Sequence, residues 1–430
     1  MISFEKIVPV FIFLLIMLLL DVYIFQAVKL LVGNLSSRTI KYVYNIYWGV
    51  AIFCLLLTLA LGLSGPASPL LAHRQLILTV LTITYFSKMI GSMFLVLDDI
   101  VRGVRWMADF LSSKSVSETV TTESLAEERS AKGVSRGEFL SKASLVGVAV
   151  PMATMSFGII SGAHDYRIRR RTVYLPNLPQ AFDGIQVAQL SDIHTGSFFN
   201  KTAVKGGVEM LMKEKPDVVF FTGDLVNNVA EEARDYVPIF KEVKADLGVF
   251  SVMGNHDYGD YQRWTSANAK NRNFQDFKEV HKTMGWDLML DENRLITVDG
   301  ADLGVIGVQN WGTGRFAKYG QLDKAYQGME HVATKILLSH DPSHWDAQVR
   351  PEYGDIDLTL SGHTHGFQCG IEIGDFRWSP AQWRYKQWAD LYQEGRQYLY
   401  VNRGFGYIGY PGRIGILPEI TILELKKAIS

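Results

Sequence analysis

The amino-acid sequence predicts a two-part protein in which N-terminal transmembrane α-helices precede an α/β domain. Apolar residues make up 48% of the 430 residues and charged residues 20%, and the mean hydropathy of +0.07 lies between values typical of soluble enzymes and of transporters. The apolar residues are concentrated in the first third of the chain. After about residue 172, short β-branched segments alternate with amphipathic ones, as in an α/β domain.

Charge and cysteine content exclude several classes of function. The 43 basic and 44 acidic residues leave a formal charge of −1, so no excess of positive charge favours a nucleic acid partner. The two cysteines, Cys54 and Cys369, are too few for a disulfide framework or a thiolate metal site. Any catalytic chemistry must therefore use histidine, carboxylate and amide groups.

Four segments are long and apolar enough to cross a membrane, which takes about 20 helical residues. They run from about residue 7 to 31, 46 to 63, 76 to 97 and 143 to 161. A stretch rich in Ser, Thr, Glu and Lys follows the third segment and cannot fold alone. The predicted division is a membrane region with three transmembrane helices at 1–108, a flexible linker at 109–142, a fourth transmembrane or signal-anchor helix at 143–162, and the α/β domain at 172–430.

The basic residues around these segments predict their orientation. The loop after the first segment contains Lys29, Arg38 and Lys41, whereas the loop after the second contains Arg74, which places the first loop in the cytoplasm. A fourth crossing would then place the α/β domain outside the cytoplasm. The arginines between residues 167 and 171 favour the opposite side, and this alternative stays open.

Two ionisable residues lie inside apolar segments, Asp21 in the first and Lys88 in the third. A charge in the hydrocarbon region is costly unless it is paired or reaches water. Both residues lie about two-thirds of the way along helices that run in the same direction, which predicts an intramembrane ion pair. The alternative is that each side chain reaches the interface or a wet crevice separately.

Polar residues follow each of five predicted strands in the α/β domain. The strands are residues 185–190, 217–221, 248–252, 335–338 and 356–360. Sites in such domains gather at strand ends, where loops extend from a rigid support. The residues in these loops are Asp192, His194, Asp224, Asn255, His256, Asp257, His340, His363 and His365.

The side chains in these loops are typical of a metal centre. Imidazole, carboxylate and amide donors without sulfur favour Mn, Fe or Zn. Two aspartates, one asparagine and four histidines are too many for one ion, so we expect two divalent metal ions that share a bridging carboxylate.

The ordered loops resemble the motifs of the calcineurin-like metallophosphoesterases, from about residue 180 to the end of the chain. The closest resemblance is to a membrane-anchored bacterial branch in which the last histidine motif reads GHTHGGQ. Here Phe367 replaces a glycine of that motif, and Asn402, Arg403 and Gly404 form a later block.

The resemblance implies an αββα sandwich with two mixed sheets and a role for each matched residue. Three residues would hold one metal and three the other, with Asp224 as the bridge. His256 would be catalytic, facing the phosphate, and Asp257 would orient its ring. Apart from the resemblance, we expect Arg403 to bind substrate phosphate or diphosphate, with a surface ion pair as the alternative. The two sets of metal ligands would be Asp192, His194 and His365, and Asn255, His340 and His363.

The function implied is that of a membrane-anchored phosphoesterase in which metal-activated hydroxide attacks a phosphoester or pyrophosphate. The expected location is the bacterial inner (plasma) membrane, with the catalytic domain on the extracytoplasmic side. The alternative is a membrane sensor or scaffold in which phosphoesterase activity is not the main role. The substrate carries phosphate, and a phospholipid or lipid-linked compound fits the membrane location.

Aromatic and basic residues alternate between residues 376 and 400, with Trp378, Trp383 and Trp388 near Arg377 and Lys386. Such a mixture is typical of a membrane interface, so we predict that this segment lies near the bilayer. An aromatic mini-core that covers the sheet is the alternative.

Overall fold

The computed structural model describes residues 4–64, 68, 70, 73–112, 136–374 and 376–428. The chain forms two compact units, Met1–Ser156 and Phe157–Ser430. The first unit is helical and the second contains the sheets, so the predicted fold class is confirmed. We call the second the catalytic unit.

Four long helices account for the N-terminal part of the chain. They are α1 Phe4–Val32, α2 Ser37–Leu63, α3 Arg74–Ser112 and α4 Arg136–Ile160. All four are long and apolar enough to cross a membrane, as in a multi-pass membrane protein. Residues 109–112 and 136–142 are helical, although the sequence prediction placed them in the linker, and residues 113–135 of that linker lie outside the described part of the chain.

The predicted ion pair between Asp21 and Lys88 is confirmed. The Lys88 ammonium contacts the Asp21 carboxylate, and both side chains are buried. The Tyr85 hydroxyl donates to Asp21 Oδ2 at 2.9 Å, and the Tyr47 hydroxyl donates to the Asp21 carbonyl at 2.7 Å. The Lys88 ammonium also lies 4.9 Å from the centre of the Tyr85 ring. The charges therefore satisfy one another where water is scarce.

Neutralising this pair should test its energetic coupling. We expect Asp21→Asn and Lys88→Met each to destabilise the first, helical unit, because each leaves an unpaired buried charge. The double variant should lose less than the sum of the two, with a coupling of about 0.5–3 kcal/mol. Thermal unfolding in detergent measures all three variants, and strictly additive losses would contradict an energetic role for the contact.

The catalytic unit contains two six-stranded mixed sheets and one separate hairpin. The first sheet has the order β1-β14-β2-β3-β4-β5 and the second has the order β12-β13-β9-β8-β7-β6, while β10 and β11 form the hairpin. The strands are β1 Arg167–Leu175, β2 Gln186–Leu190, β3 Val218–Phe221, β4 Val249–Ser251, β5 Asp287–Leu288, β6 Glu292–Val298, β7 Ala301–Gly307, β8 Lys335–Leu338, β9 Leu358–Ser361, β10 Ile371–Ile373, β11 Phe376–Trp378, β12 Asp390–Glu394, β13 Gln397–Val401 and β14 Glu419–Lys427. The helices are α5 Lys201–Lys213, α6 Val237–Phe240, α7 Ala267–Met284, α8 Leu322–Tyr326 and α9 Arg350–Glu352.

The two sheets pack face to face, and helices cover their outer faces. Val187, Leu303 and Leu423 belong to the buried cluster between the sheets. A second cluster joins the first sheet to α5 and α7, and a third lies on the outer side of the second sheet. All four residues of β3, β8 and β9 are buried, as expected for strands covered on both faces. This is the αββα sandwich that the family resemblance implies.

Candidate metal centre and active site

The five predicted strands correspond to β2, β3, β4, β8 and β9, and the predicted loops follow them. Parallel strands present their carboxyl ends at the same edge of a sheet, so the loops after β2, β3 and β4 converge, as do those after β8 and β9. The structure brings their side chains together in two adjoining groups. The first is Asp192, His194 and His365, and the second is Asp224, His340 and His363.

The donor atoms of each group lie within 4.8 Å of one another. His365 Nε2 lies 3.1 Å from His194 Nε2 and 3.2 Å from Asp192 Oδ1. Asp224 Oδ2 lies 3.1 Å from His340 Nε2 and 3.6 Å from His194 Nε2. One carboxylate oxygen is therefore within reach of both groups.

The chemistry of these donors fits two divalent cations. The ring nitrogens of His194 and His365 face each other, and so do those of His340 and His363 at 3.2 Å. Asn255 Oδ1 is buried and has no hydrogen-bond partner within the part of the chain that the structure describes. A buried acceptor without a partner is costly, and a cation would satisfy it together with the converging lone pairs.

The backbone at these positions is strained. Asp192, His194, Asp224, His363 and His365 all have positive φ, between 51° and 70°. Such conformations cost about 1–3 kcal/mol each in residues other than glycine and persist where the surrounding structure imposes them. The Asp192 amide donates to the Gly223 carbonyl and the His194 amide to the Asp224 carbonyl, at 2.9 and 3.1 Å. The backbone of the loops therefore holds the side chains in position.

The electrostatics of the two groups favour cation binding. Burial opposes a charge on Asp192, yet the facing His365 imidazole holds the pKa of its carboxyl below the ordinary value. Burial lowers the pKa of His194 to about 3, which leaves this imidazole neutral at pH 7. His340 differs because, against the effect of burial, the Asp224 carboxylate raises the pKa of its imidazole to about 10. A bound cation would replace the proton on His340, since metal ligands must be deprotonated.

His256 lies beside the two groups and lines a cavity of about 340 Å³ that opens above them. Its Nδ1 lies 2.8 Å from the backbone carbonyl oxygen of Asn227. A carbonyl oxygen can only accept a hydrogen bond, so Nδ1 carries the proton. Its backbone amide donates to Asp224 Oδ1 at 2.9 Å. The Asn227 carbonyl therefore fixes the ring, with Nε2 available for another group.

The role implied for Asp257 is wrong. Its carboxylate does not orient the His256 ring but accepts four backbone N–H groups, those of Asp224, Leu225, Val226 and Gly254, at 2.8 to 3.2 Å. Asp257 is fully buried and joins the loop after β3 to the loop after β4. It therefore positions Asp224 through the backbone.

The substrate-binding role expected for Arg403 is also wrong. Its guanidinium is fully buried and donates to Glu419 Oε2 at 2.6 Å and to Glu372 Oε1 at 2.7 Å. The alternative of a surface ion pair is wrong as to location, because Arg403 forms its ion pairs inside the unit. The neighbouring Gly404 lies directly against Asp192. A Cβ at position 404 would be only 2.9 Å from Asp192 Cβ, so glycine is required for this contact.

Removing this arginine should affect folding rather than substrate affinity. We expect Arg403→Ala to lower the free energy of unfolding by about 3–5 kcal/mol, because Glu419 would remain buried without its main counter-charge. Chemical denaturation of the full-length protein in detergent measures the loss. The exposed Arg234→Ala is the control and should change stability by less than about 0.5 kcal/mol. A fully stable Arg403→Ala with a raised KM would restore the substrate-binding role.

Three aromatic residues that contact the residues of the site were not assigned to it from the sequence. The Tyr385 hydroxyl lies 2.8 Å from His363 Nε2, and the Tyr261 hydroxyl accepts from Asn255 Nδ2 at 2.9 Å. The Phe316 ring centre lies 4.9 Å from that of His363. Tyr385 lies in the aromatic segment that the sequence did single out, but no motif surrounds Tyr261 or Phe316.

Arg413 is a further residue that sequence reasoning missed. Its buried guanidinium lies 3.2 Å from His365 Nδ1 and donates to the carbonyls of Arg403 and Gly406 at 2.7 and 2.5 Å. Burial lowers the pKa of this guanidinium to about 10. Arg413 therefore holds together the loops behind His365.

Two family sequence models match the chain. The one described as "Probable Calcineurin-like phosphoesterase, transmembrane domain" matches residues 6–163, and the one described as "Calcineurin-like phosphoesterase" matches residues 185–367. The chain belongs to the calcineurin-like phosphoesterases. This family hydrolyses phosphoesters with divalent metal ions, so the predicted enzyme class is confirmed.

Several relatives of this phosphoesterase carry the same domain. The chain is 27% identical over 267 residues to the uncharacterized metallophosphoesterase YkuE of Bacillus subtilis (strain 168), which covers 61% of this chain and 86% of the relative. It is 28% identical over 315 residues to a "Transmembrane protein with metallophosphoesterase domain" of Danio rerio, which covers 71% and 67%. Among solved structures, the phosphopantetheinyl hydrolase of Mycobacterium tuberculosis matches at 14% identity and a TM-score of 0.28, covering 48% of this chain and 94% of that one.

Proposed function

We infer that the catalytic unit hydrolyses a phosphate ester or pyrophosphate at a binuclear metal centre. The observation that carries this inference is the position of Asp224 Oδ2 between the two groups of ligands. Asp192, His194 and His365 would hold one ion, Asn255, His340 and His363 the other, and Asp224 both. Mn, Fe and Zn all suit this donor set.

The two cations, when bound, supply Lewis acidity that lowers the pKa of water and neutralises phosphate oxygens. The residues of the chain supply the rest. His256 lines the cavity with Nδ1 tied to the Asn227 carbonyl, so its Nε2 is the atom that would hold and deliver a proton to the leaving oxygen. The Tyr385 and Tyr261 hydroxyls lie at the edge of the site, where they would orient phosphate oxygens by hydrogen bonding.

The cavity wall favours a substrate with an apolar part. Phe316, Phe367 and Ile408 line the cavity together with the histidines, and the Phe367 side chain is exposed at its mouth. Phe367 has a φ of 52°, a conformation in which glycine is favoured, so the phenyl ring is present despite backbone strain. We infer a phospholipid or a lipid-linked phosphate as the substrate class.

The location we propose is the bacterial inner (plasma) membrane, with the catalytic unit on the extracytoplasmic side. The arginines at 167–171 favour the cytoplasmic side by the distribution of positive charge, which is the alternative to this proposal. All four belong to edge strand β1 and pair with acidic residues in the folded unit: Arg167 with Asp165, Arg169 with Glu372, Arg170 with Glu214 and Arg171 with Asp390. Protease accessibility of the catalytic unit in spheroplasts tests the side.

Full-length protein in detergent tests the activity itself. We expect hydrolysis of bis(p-nitrophenyl) phosphate, a phospholipid or a lipid-linked diphosphate, loss of the activity with chelator, and recovery with Mn²⁺, Fe²⁺ or Zn²⁺. Elemental analysis should find two ions per chain. Hydrolysis that survives complete metal removal, or no hydrolysis of any ester by the metal-loaded protein, would overturn the proposal.

A further inference from the structure

The hairpin formed by β10 and β11 has two chemically different faces. Ile371 pairs with Trp378 and Ile373 with Phe376, and these four side chains share one face because alternate strand residues point the same way. Ile373 is 73% exposed and Phe376 61% exposed. The other face carries the remaining pair, Glu372 and Arg377.

The charged face fastens the hairpin to the catalytic unit. Glu372 accepts from the buried Arg403 at 2.7 Å and also pairs with Arg169, while Arg377 lies 2.9 Å from Asp390 Oδ2. The apolar face therefore cannot turn inward without breaking these ion pairs. Its exposure is a property of the folded hairpin.

Within the catalytic unit, a segment that contains Arg413 and Ile414 lies between Gly158, in the last turn of α4, and the base of this hairpin. The Arg413 amide donates to the Gly158 carbonyl at 3.1 Å, and a Cβ at Gly158 would lie 3.0 Å from Ile414 Cγ1. On its other side, Ile414 bonds to the backbone just before β10, donating to Gln368 and accepting from Gly370 at 2.7 and 2.8 Å. Phe157 and Ile160 in the last turn of α4 are exposed apolar residues, as expected where a membrane-spanning helix leaves the bilayer.

We propose that the apolar face of this hairpin, with Trp383, inserts into the bilayer interface beside the mouth of the active site. The occupant is the lipid bilayer because backbone hydrogen bonds through Arg413 and Ile414 connect the base of the hairpin to the last turn of α4, a helix long and apolar enough to span a membrane. Trp383 is 76% exposed, and its ring meets that of Trp378 edge to face at 5.9 Å. Arg384 and Lys386, both exposed, follow Trp383, and cations beside tryptophan are typical of membrane interfaces.

This docking would determine which substrates reach the site. The effect on substrate access rests on the proposed function, whereas the docking of the hairpin does not. Phe367 lies at the cavity mouth only four residues before Ile371. Gln368 also lines the cavity, and its backbone carbonyl accepts from the Ile414 amide. A docked hairpin would therefore hold the mouth at the headgroup level, where the phosphate of a membrane lipid lies and its chains stay in the bilayer.

Fluorescence of full-length protein in nanodiscs tests the docking without any assay of activity. A Cys54→Ser/Cys369→Ser background receives Ile373→Cys or, as the control, Leu295→Cys, which is half-exposed on strand β6. Each cysteine carries an environment-sensitive fluorophore, in discs of phosphatidylcholine and phosphatidylglycerol with or without acyl-chain spin-labelled lipid. We expect at least about 2-fold quenching by the spin-labelled lipid at position 373 and none at 295.

Equal quenching at the two positions, or a label at 373 that is shielded from water but not quenched by lipid, overturns the proposal. The second result would point to a protein covering the hairpin.

A matched pair of variants tests the consequence. Ile373→Ser/Phe376→Ser/Trp383→Ser removes the apolar face, and Leu295→Ser/Tyr174→Ser removes two exposed apolar side chains elsewhere on the unit. For the first variant we expect about a 10-fold loss of kcat/KM on a phospholipid in vesicles, with hydrolysis of soluble bis(p-nitrophenyl) phosphate unchanged. Equal losses on both substrates overturn the docking role. If the unaltered protein hydrolyses neither substrate, the proposed function fails while the quenching experiment still decides the docking.

Discussion

Asp224→Asn is expected to lower the metal content from two ions toward one or fewer and to reduce hydrolysis by about 10³-fold or more. Asp224 Oδ2 lies 3.1 Å from His340 Nε2 and 3.6 Å from His194 Nε2, so its charge serves both groups. An amide keeps the shape but removes the negative charge that balances two cations. Several kcal/mol of transition-state stabilisation depend on such ions, and about 1.4 kcal/mol corresponds to tenfold in rate.

Elemental analysis and steady-state kinetics on the same preparation measure both effects. Asp235→Asn is the matched control because Asp235 is an exposed aspartate that pairs with Lys201 on the surface. It should leave metal content and rate unchanged. An Asp224→Asn protein that retains two ions and most of its activity would show that the two groups do not share this carboxylate.

The location of the site was predictable because metal ligands project from strand ends and have no packing purpose. Five short apolar strands were each followed by polar residues, and such loops converge in a sandwich with parallel strands. Asp192 and His365 are 173 positions apart in the sequence, and the family resemblance of their motifs placed them at one metal. The residue types in these loops also identified the donor atoms as nitrogen and oxygen without any coordinates.

The two wrong roles concern residues whose neighbours come from distant parts of the chain. Arg403 follows a strand end as the ligands do, and only the tertiary structure shows that Glu372 and Glu419 occupy its guanidinium. Asp257 follows His256 directly, which favoured a contact between the two side chains. Adjacent residues of a loop often point in different directions, and Asp257 turns toward four backbone amides instead.

In the membrane segments too, some features could be predicted from the sequence and others required the structure. Asp21 and Lys88 could be paired from the sequence because an unpaired charge in hydrocarbon is costly and few partners were available. The helix ends were less predictable. Helix α3 runs from Arg74 to Ser112, whereas the apolar pattern marked only residues 76 to 97. Hydropathy locates the lipid-exposed part of a helix, but a helix can continue through polar residues outside it.

His256→Ala is expected to reduce turnover by about 10²–10⁴-fold while two metal ions remain bound. The His256 side chain lines the cavity, and neither group of metal-ligand candidates includes it. With Nδ1–H donating to the Asn227 backbone carbonyl, the imidazolium form of His256 carries a second proton on Nε2 and donates it to the leaving oxygen. Loss of that proton donor should slow the chemical step without releasing the cations, and metal analysis beside kinetics separates the two.

A change of leaving group distinguishes proton donation from a merely structural role. Nitrophenolate leaves without a proton, whereas an alkoxide requires one, so the loss in His256→Ala should be at least about 10-fold larger for an alkyl ester than for a nitrophenyl ester. His331→Ala, at an exposed position, should show no such difference. Equal losses on both esters would mean that His256 stabilises phosphate charge or positions substrate, and loss of metal would make it a ligand. The ratio of the two losses therefore reports on the atom that receives the proton.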